Sequence, residues 1–162
     1  MKVMKRGFEI IPPDFFFLFI FGFLKSNGLP KGFTLMWAGR VSKDKRVHFL
    51  TDIYKSVAES HPELNLIICG DGPDLDSLKE DLGSYGNRVL FTGRIDSEEL
   101  LKYYTCSDLF VFPSTTDTFG MVIVEAQACG LPVLVTDIGG PQEIIVDGKT
   151  GYVIPWDNMS MW

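Results

Sequence analysis

Two cations stand five positions apart in the segment Gly39-Arg40-Val41-Ser42-Lys43-Asp44-Lys45. Arg40 can grip phosphate oxygens in pairs and Lys45 adds a point charge, so the two suit a diphosphate. Lys43 and Arg46 lie in the same stretch, and a solvated basic loop would look the same. A second segment, Pro113-Ser114-Thr115-Thr116-Asp117-Thr118-Phe119-Gly120, leads into the apolar run from Met121 to Ala126. If that run is a helix, the amides of Phe119, Gly120 and Met121 are free donors at its N-terminus and can seat an anion. Glu125 follows one turn later, where its carboxylate can accept from two neighbouring ribose hydroxyls. Set among Val122, Ile123, Val124 and Ala126, it needs a partner or a route to solvent. Two further loops are glycine-rich. Gly70-Asp71-Gly72-Pro73 fits either a close approach to a ligand or a plain tight turn. Asp137-Ile138-Gly139-Gly140-Pro141 places a glycine pair before a helix with proline at its first position.

These loops need a scaffold, and the hydrophobic pattern supplies one. Phe33–Ala38, Leu64–Cys69, Val89–Phe91, Leu109–Phe112, Val133–Thr136 and Tyr152–Ile154 read as strands. Between them, helices are expected from Val47 to before Pro62, and over Asp74–Leu82, Asp96–Tyr104, Met121–Cys129 and Gln142–Val146. Asp96 with Glu99 has the spacing of a capping box. Several strands are continuously apolar, as in a parallel sheet buried on both faces. The expected fold is a doubly wound, mainly parallel α/β sheet of Rossmann type, with ligands beyond the carboxyl ends of its strands. The domain should span residues 33–156. Residues 1–32 form an atypical apolar N-terminal segment with a turn-rich loop at 25–33, and 157–162 a short tail.

Composition narrows the function. The chain has 162 residues, 46% of them hydrophobic, and a formal net charge of −6. That balance argues against nucleic acid as a partner and requires any phosphate site to be a local cluster of cations. Cys69, Cys106 and Cys129 lie in apolar runs without a Cys-x-x-Cys pair, which fits buried thiols and a cytoplasmic location. The run Phe15–Leu24 is too short to span a bilayer, and the acids and prolines at Glu9, Pro12, Pro13 and Asp14 break up a secretory signal. It reads as a linker or strand packed on a domain, with contact at a membrane surface left open. Asp74-Leu75-Asp76 imitates a metal motif but sits where acids favour a helix dipole, so no metal is expected. His48 and His61 have no cysteine or acid at ligand spacing. Asn158-Met159-Ser160 matches a glycosylation sequon in a chain expected to be cytoplasmic.

In order, Gly39-Arg40-x4-Lys45, Gly70-Asp71-Gly72-Pro73, Phe91-Thr92-Gly93-Arg94, Asp108–Ser114 and Phe119-Gly120-x4-Glu125-Ala126 resemble glycosyltransferase family 4. Gly130-Leu131-Pro132-Val133, the Gly139-Gly140 pair and Asp147-Gly148-x-Thr150-Gly151 extend the series. The resemblance covers about residues 33–156 and implies one half of a GT-B enzyme, the C-terminal donor-binding domain of a retaining hexosyltransferase. It implies that Arg40 and Lys45 hold the diphosphate of a UDP- or GDP-sugar and that Glu125 binds the ribose. It implies that Asp117, Thr118, Phe119 and Gly120 touch sugar and phosphates, with Met121 at the helix start, and that Arg94 and Ile95 lie near the base. Gly39, Gly70 and Gly72 would line the same site. No cofactor is expected beyond the donor itself.

One departure is Asp117, which stands where the family's Glu-x7-Glu motif begins with glutamate. The family's acceptor domain has no counterpart here, nor do the helices that follow its last strand. The chain is therefore expected to be a fragment or isolated domain, with a glycan or lipid-linked acceptor held elsewhere. Two other readings compete: a non-enzymatic nucleotide-sugar-binding module, and a nucleotide-sugar 2-epimerase of the same fold. A Rossmann dehydrogenase is disfavoured because no Gly-x-Gly-x-x-Gly follows the first strand.

Overall fold

A computed structural model describes residues 22–162. Most of the run Phe15–Leu24 and all of its upstream flank lie outside the described residues. Six strands form one wholly parallel sheet: β1 (Thr34–Ala38), β2 (Asn65–Cys69), β3 (Val89–Gly93), β4 (Leu109–Phe112), β5 (Val133–Thr136) and β6 (Gly151–Ile154). Their order in space is β3-β2-β1-β4-β5-β6. The chain thus winds outward from β1 to β3, returns to the other side of β1, and winds outward again.

Five helices connect the strands: α1 (Val47–Ala58), α2 (Leu75–Asp81), α3 (Ser97–Cys106), α4 (Met121–Ala128) and α5 (Pro141–Ile144). The continuously apolar runs explain the core. Every residue of β1 and β2 is buried. Trp37, Tyr54, Tyr104 and Phe110 are among the largest fully buried side chains. Burial of an apolar side chain such as Phe110 stabilises the fold by roughly 1.5–3 kcal/mol relative to exposure. Among the described residues, no helix is long and apolar enough to cross a membrane.

Elements differ from the sequence reading mainly at their ends. β3 runs on to Gly93, because a register shift after Ile68 pairs Cys69 with Gly93. The last short helix covers Pro141–Ile144 and not Gln142–Val146, because Ile145 turns to extended backbone. Residues 22–26 are helical, so the end of the phenylalanine run is not a strand and the expected loop at 25–33 begins two residues late. Phe23 and Leu24 pack on the core, and Asn27 donates to Phe23 O at the helix end. Asp96 caps α3 as its spacing predicts, accepting from Glu99 N at 2.8 Å.

Cys69 and Cys106 are buried and Cys129 is half-buried. Burial pushes the Cys69 thiol up to about 12 and the Cys106 thiol to about 11. His48 lies in α1, and His61 follows that helix with its Nδ1 3.4 Å from Glu63 Oε1. In the tail, Trp162 packs edge-on against Phe49 and donates to Pro155 O. At the outer edge of the sheet, Val153 N of β6 donates to Asp147 Oδ1 at 3.1 Å.

Candidate donor site at the switch in strand order

The strand order reverses between β1 and β4. The loops after these two strands must diverge to opposite sides of the sheet, which leaves a crevice between them. The loop after β1 carries Arg40 and Lys45; the loop after β4 carries Asp117 and the start of α4. Lys45 Nζ spans the crevice to Asp117 Oδ1 at 2.9 Å, with both side chains about four-fifths buried. Thr116 Oγ1 bridges the same gap to Asp44 O at 3.0 Å. The buried Ser114 hydroxyl donates to the other oxygen of Asp117. Asp117 is thereby fixed from two sides, by Lys45 across the crevice and by Ser114 within its own loop. The Ser42 hydroxyl holds Asp44 below the usual carboxylate range.

Arg40 takes a different position. It lines a cavity of about 590 Å³ with Gly39, Gly70, Asp71, Gly72 and Arg94. This cavity sits over the carboxyl ends of β1, β2 and β3. The structure therefore divides the predicted cations: Lys45 pairs with Asp117, while Arg40 and Arg94 line the glycine-floored cavity. Ile95, next to Arg94, packs against the core.

The glycines of that floor have a packing role that the sequence left open. A Cβ on Gly70 would lie 1.9 Å from Gly39 O, and one on Gly72 2.2 Å from Val41 O. The two loops are also joined by backbone bonds, Val41 N to Asp71 O and Asp74 N to Val41 O. The Gly139-Gly140 pair supports the opposite wall in the same manner. A Cβ on Gly140 would lie 1.8 Å from Thr118 O, and Gly140 N donates to Asp117 O at 3.1 Å. The pair thus packs beneath the backbone of Asp117 and Thr118.

At the start of α4, Gly120 is left-handed (φ 83°) and no side chain caps the helix. Phe119 and Met121 are more than half exposed on either side of it. Glu125, one turn along, is half-buried and accepts from the Tyr104 hydroxyl at 3.2 Å.

One residue in this region was missed by motif reasoning. Arg46 looks like part of a solvated basic run, yet its guanidinium lies 4.0 Å from the Phe49 ring centroid and 5.4 Å from that of Trp156. It also donates to Pro113 O (3.4 Å) and Trp156 O (3.0 Å). One side chain so links the loops that follow β1, β4 and β6. Burial pulls its pKa below the ordinary arginine value. Its backbone is left-handed, at φ 54°. The sequence signal was present in the aromatics at Phe49 and Trp156, but their meeting depends on the fold.

Residues 23–162 match the family model for glycosyl transferases group 1. The chain belongs to this family. It is 38% identical over 133 residues to a sulfoquinovosyl transferase of Arabidopsis thaliana, covering 79% of this chain and 24% of that protein. Among solved structures, it superposes on the Anabaena protein HepE in complex with UDP-glucose with a TM-score of 0.78 and 27% identity, over 99% of this chain and 45% of that one. It also superposes on the C-terminal domain of a group 1 glycosyl transferase from Francisella tularensis, with a TM-score of 0.75 and 25% identity, over 85% of this chain and 75% of that one. The GT-B half expected from the motifs is the fold observed. The chain spans about a quarter to a third of the length of the curated relatives it matches.

Proposed function

We propose that this chain is the donor-binding domain of a retaining hexosyltransferase that draws its sugar from UDP or GDP. The observation that carries this reading is the crevice between the β1 and β4 loops. One wall presents the Lys45 ammonium, with Arg40 in the cavity beside it, and the other presents a carboxylate and the uncapped N-terminus of α4. A nucleoside diphosphate sugar has the matching pattern, with anionic phosphates joining a ribose and a transferable sugar. The Anabaena relative, which shares the fold over nearly all of this chain, is a complex with UDP-glucose.

In this proposal Arg40 and Lys45 hold the diphosphate, and the amides around Phe119, Gly120 and Met121 add hydrogen bonds at the helix start. As the sugar–phosphate bond breaks, charge gathers on the leaving diphosphate. Fixed cations and amides stabilise that charge more than they stabilise the ground state, which lowers the barrier without a metal. Asp117 contacts the transferred sugar and Glu125 the ribose. Arg94 and Ile95 border the base. Diphosphate entry changes the partner of Lys45, because the ammonium now bound by Asp117 is drawn to phosphate. A glycan or lipid-linked acceptor is bound by a separate domain, so this chain alone binds donor without transferring it.

A calorimetric titration of the chain with UDP, GDP, UDP-glucose, GDP-mannose and inorganic pyrophosphate tests the proposal. Saturable one-site binding of UDP or GDP, tighter than of pyrophosphate, is expected. Absence of nucleotide binding by folded protein overturns it.

A further inference from the structure

Glu125 belongs to α4, yet one of its oxygens is held from another helix. The Tyr104 hydroxyl of α3 donates to Glu125 Oε2 at 3.2 Å. Tyr104 itself is almost wholly enclosed, with 1% of its surface exposed. Its ring packs edge-on against Phe110 of β4 at 5.6 Å, and Phe110 stacks on Phe112 at 6.0 Å. Phe112 ends β4 immediately before the crevice loop. The phenol is therefore anchored in the core on the strand that delivers one wall of the site. Among the described residues, Glu125 Oε1 has no hydrogen-bond partner.

A glutamate side chain on a helix surface samples several rotamers, and fixing one costs conformational entropy. Tyr104 meets that cost before any ligand arrives. A phenol bound to one oxygen also leaves the carboxylate charged and directional, with the second oxygen available to accept. Burial, and then the charge of Glu125, raise the Tyr104 pKa well above its ordinary value, so the hydroxyl remains a donor throughout the physiological range.

We infer that Tyr104 is a positioning residue for the donor ribose: its hydroxyl holds Glu125 Oε2 so that Oε1 accepts from the 2′- and 3′-hydroxyls. This inference rests on the ribose role proposed for Glu125. Tyr104 touches no part of the nucleotide and acts through the carboxylate alone. Its effect is therefore confined to ligands that carry the diol and vanishes when Glu125 can no longer respond.

The test titrates wild type, Tyr104→Phe, Glu125→Gln and the double variant with UDP, 2′,3′-dideoxy-UDP and inorganic pyrophosphate. The guanine series replaces the uracil series if GDP binds more tightly. Thermal unfolding of each variant is followed in parallel. Tyr104→Phe is expected to weaken UDP binding by roughly 5–20-fold, the scale of one lost hydrogen bond. Affinities for the dideoxy nucleotide and pyrophosphate should stay within about twofold. The double variant should bind UDP no more weakly than Glu125→Gln, since both changes remove one coupled unit. If Glu125→Gln loses UDP affinity and Tyr104→Phe does not, the positioning role is overturned and the donor reading stands. Equal losses for all three ligands make Tyr104 a structural residue and overturn the inference. No nucleotide binding by the wild type overturns the donor reading and this inference together.

Discussion

The two walls of the crevice are built by different means. On the β1–β3 side the loops are joined backbone to backbone: Gly39 N bonds to Cys69 O, Val41 N to Asp71 O and Gly70 N to Gly93 O. Gly70 and Gly72 leave no room for a Cβ there, and Arg40 and Arg94 line the cavity above them. On the β4–β6 side much of the tethering comes from side chains. Lys45, Ser114, Thr116 and Arg46 hold the loop in place. A backbone-built wall keeps its shape whether or not a ligand is present. A wall tethered by an ion pair can exchange that tether for a ligand, because its partners are charged groups that phosphate or sugar can replace.

The sharpest way to break this contrast is Gly70→Ala. The new methyl group meets Gly39 O at 1.9 Å, at a backbone φ of 141° that L-residues rarely adopt. Overpacking and strain together should destabilise the domain by about 3 kcal/mol or more, measured by urea unfolding. A loss under about 1 kcal/mol would show that the first wall yields as readily as the second. Next comes Lys45→Ala, which should cost about 1–3 kcal/mol of stability, because the mostly buried Asp117 keeps Ser114 but loses its cation. Its nucleotide affinity should fall by about 1.5–3 kcal/mol, the scale of a charge-assisted hydrogen bond. Equal UDP and GDP affinities in variant and wild type would remove Lys45 from the diphosphate site.

The smallest effect concerns Arg46 and refines the comparison. Arg46→Ala should cost about 1–2 kcal/mol by removing the stacking and the two carbonyl bonds. Arg46→Gly should cost about 0.5–1 kcal/mol less, because glycine adopts the left-handed backbone without penalty. Denaturant melts of the two variants give the difference directly. If alanine proves the milder change, the backbone at this position carries no strain.

Most of the scaffold could be read from the sequence because its signals are local. β4 and β5 begin and end where the apolar runs do, and Asp96 caps α3 three residues before Glu99. The helix over Pro141–Ile144 was displaced because Ile145 and Val146 continue the apolar pattern while leaving the helix. Loop positions of the candidate site followed from strand ends. Partnerships did not. Lys45 and Asp117 are 72 residues apart, and nothing in either loop announces the other. Glu125 showed that it needed a partner, but Tyr104 lies on a separate helix, and only the packing of α3 beside α4 brings the phenol to the carboxylate. Arg46 was hidden by its basic neighbours, since charge patterning describes a run and not the one member that turns inward.

The bond from Val153 to Asp147 has a consequence for how copies of this chain meet. β6 is the last strand in the sheet, and an outermost strand normally presents a row of unsatisfied amides that can template a further strand from another molecule. Here the chain folds Asp147 back over that row and occupies the Val153 amide with its own carboxylate. A strand from a neighbour would have to displace a charged side chain before it could pair. The outward Val153 amide of β6 is thereby occupied by a residue that also belongs to the turn leading into that strand.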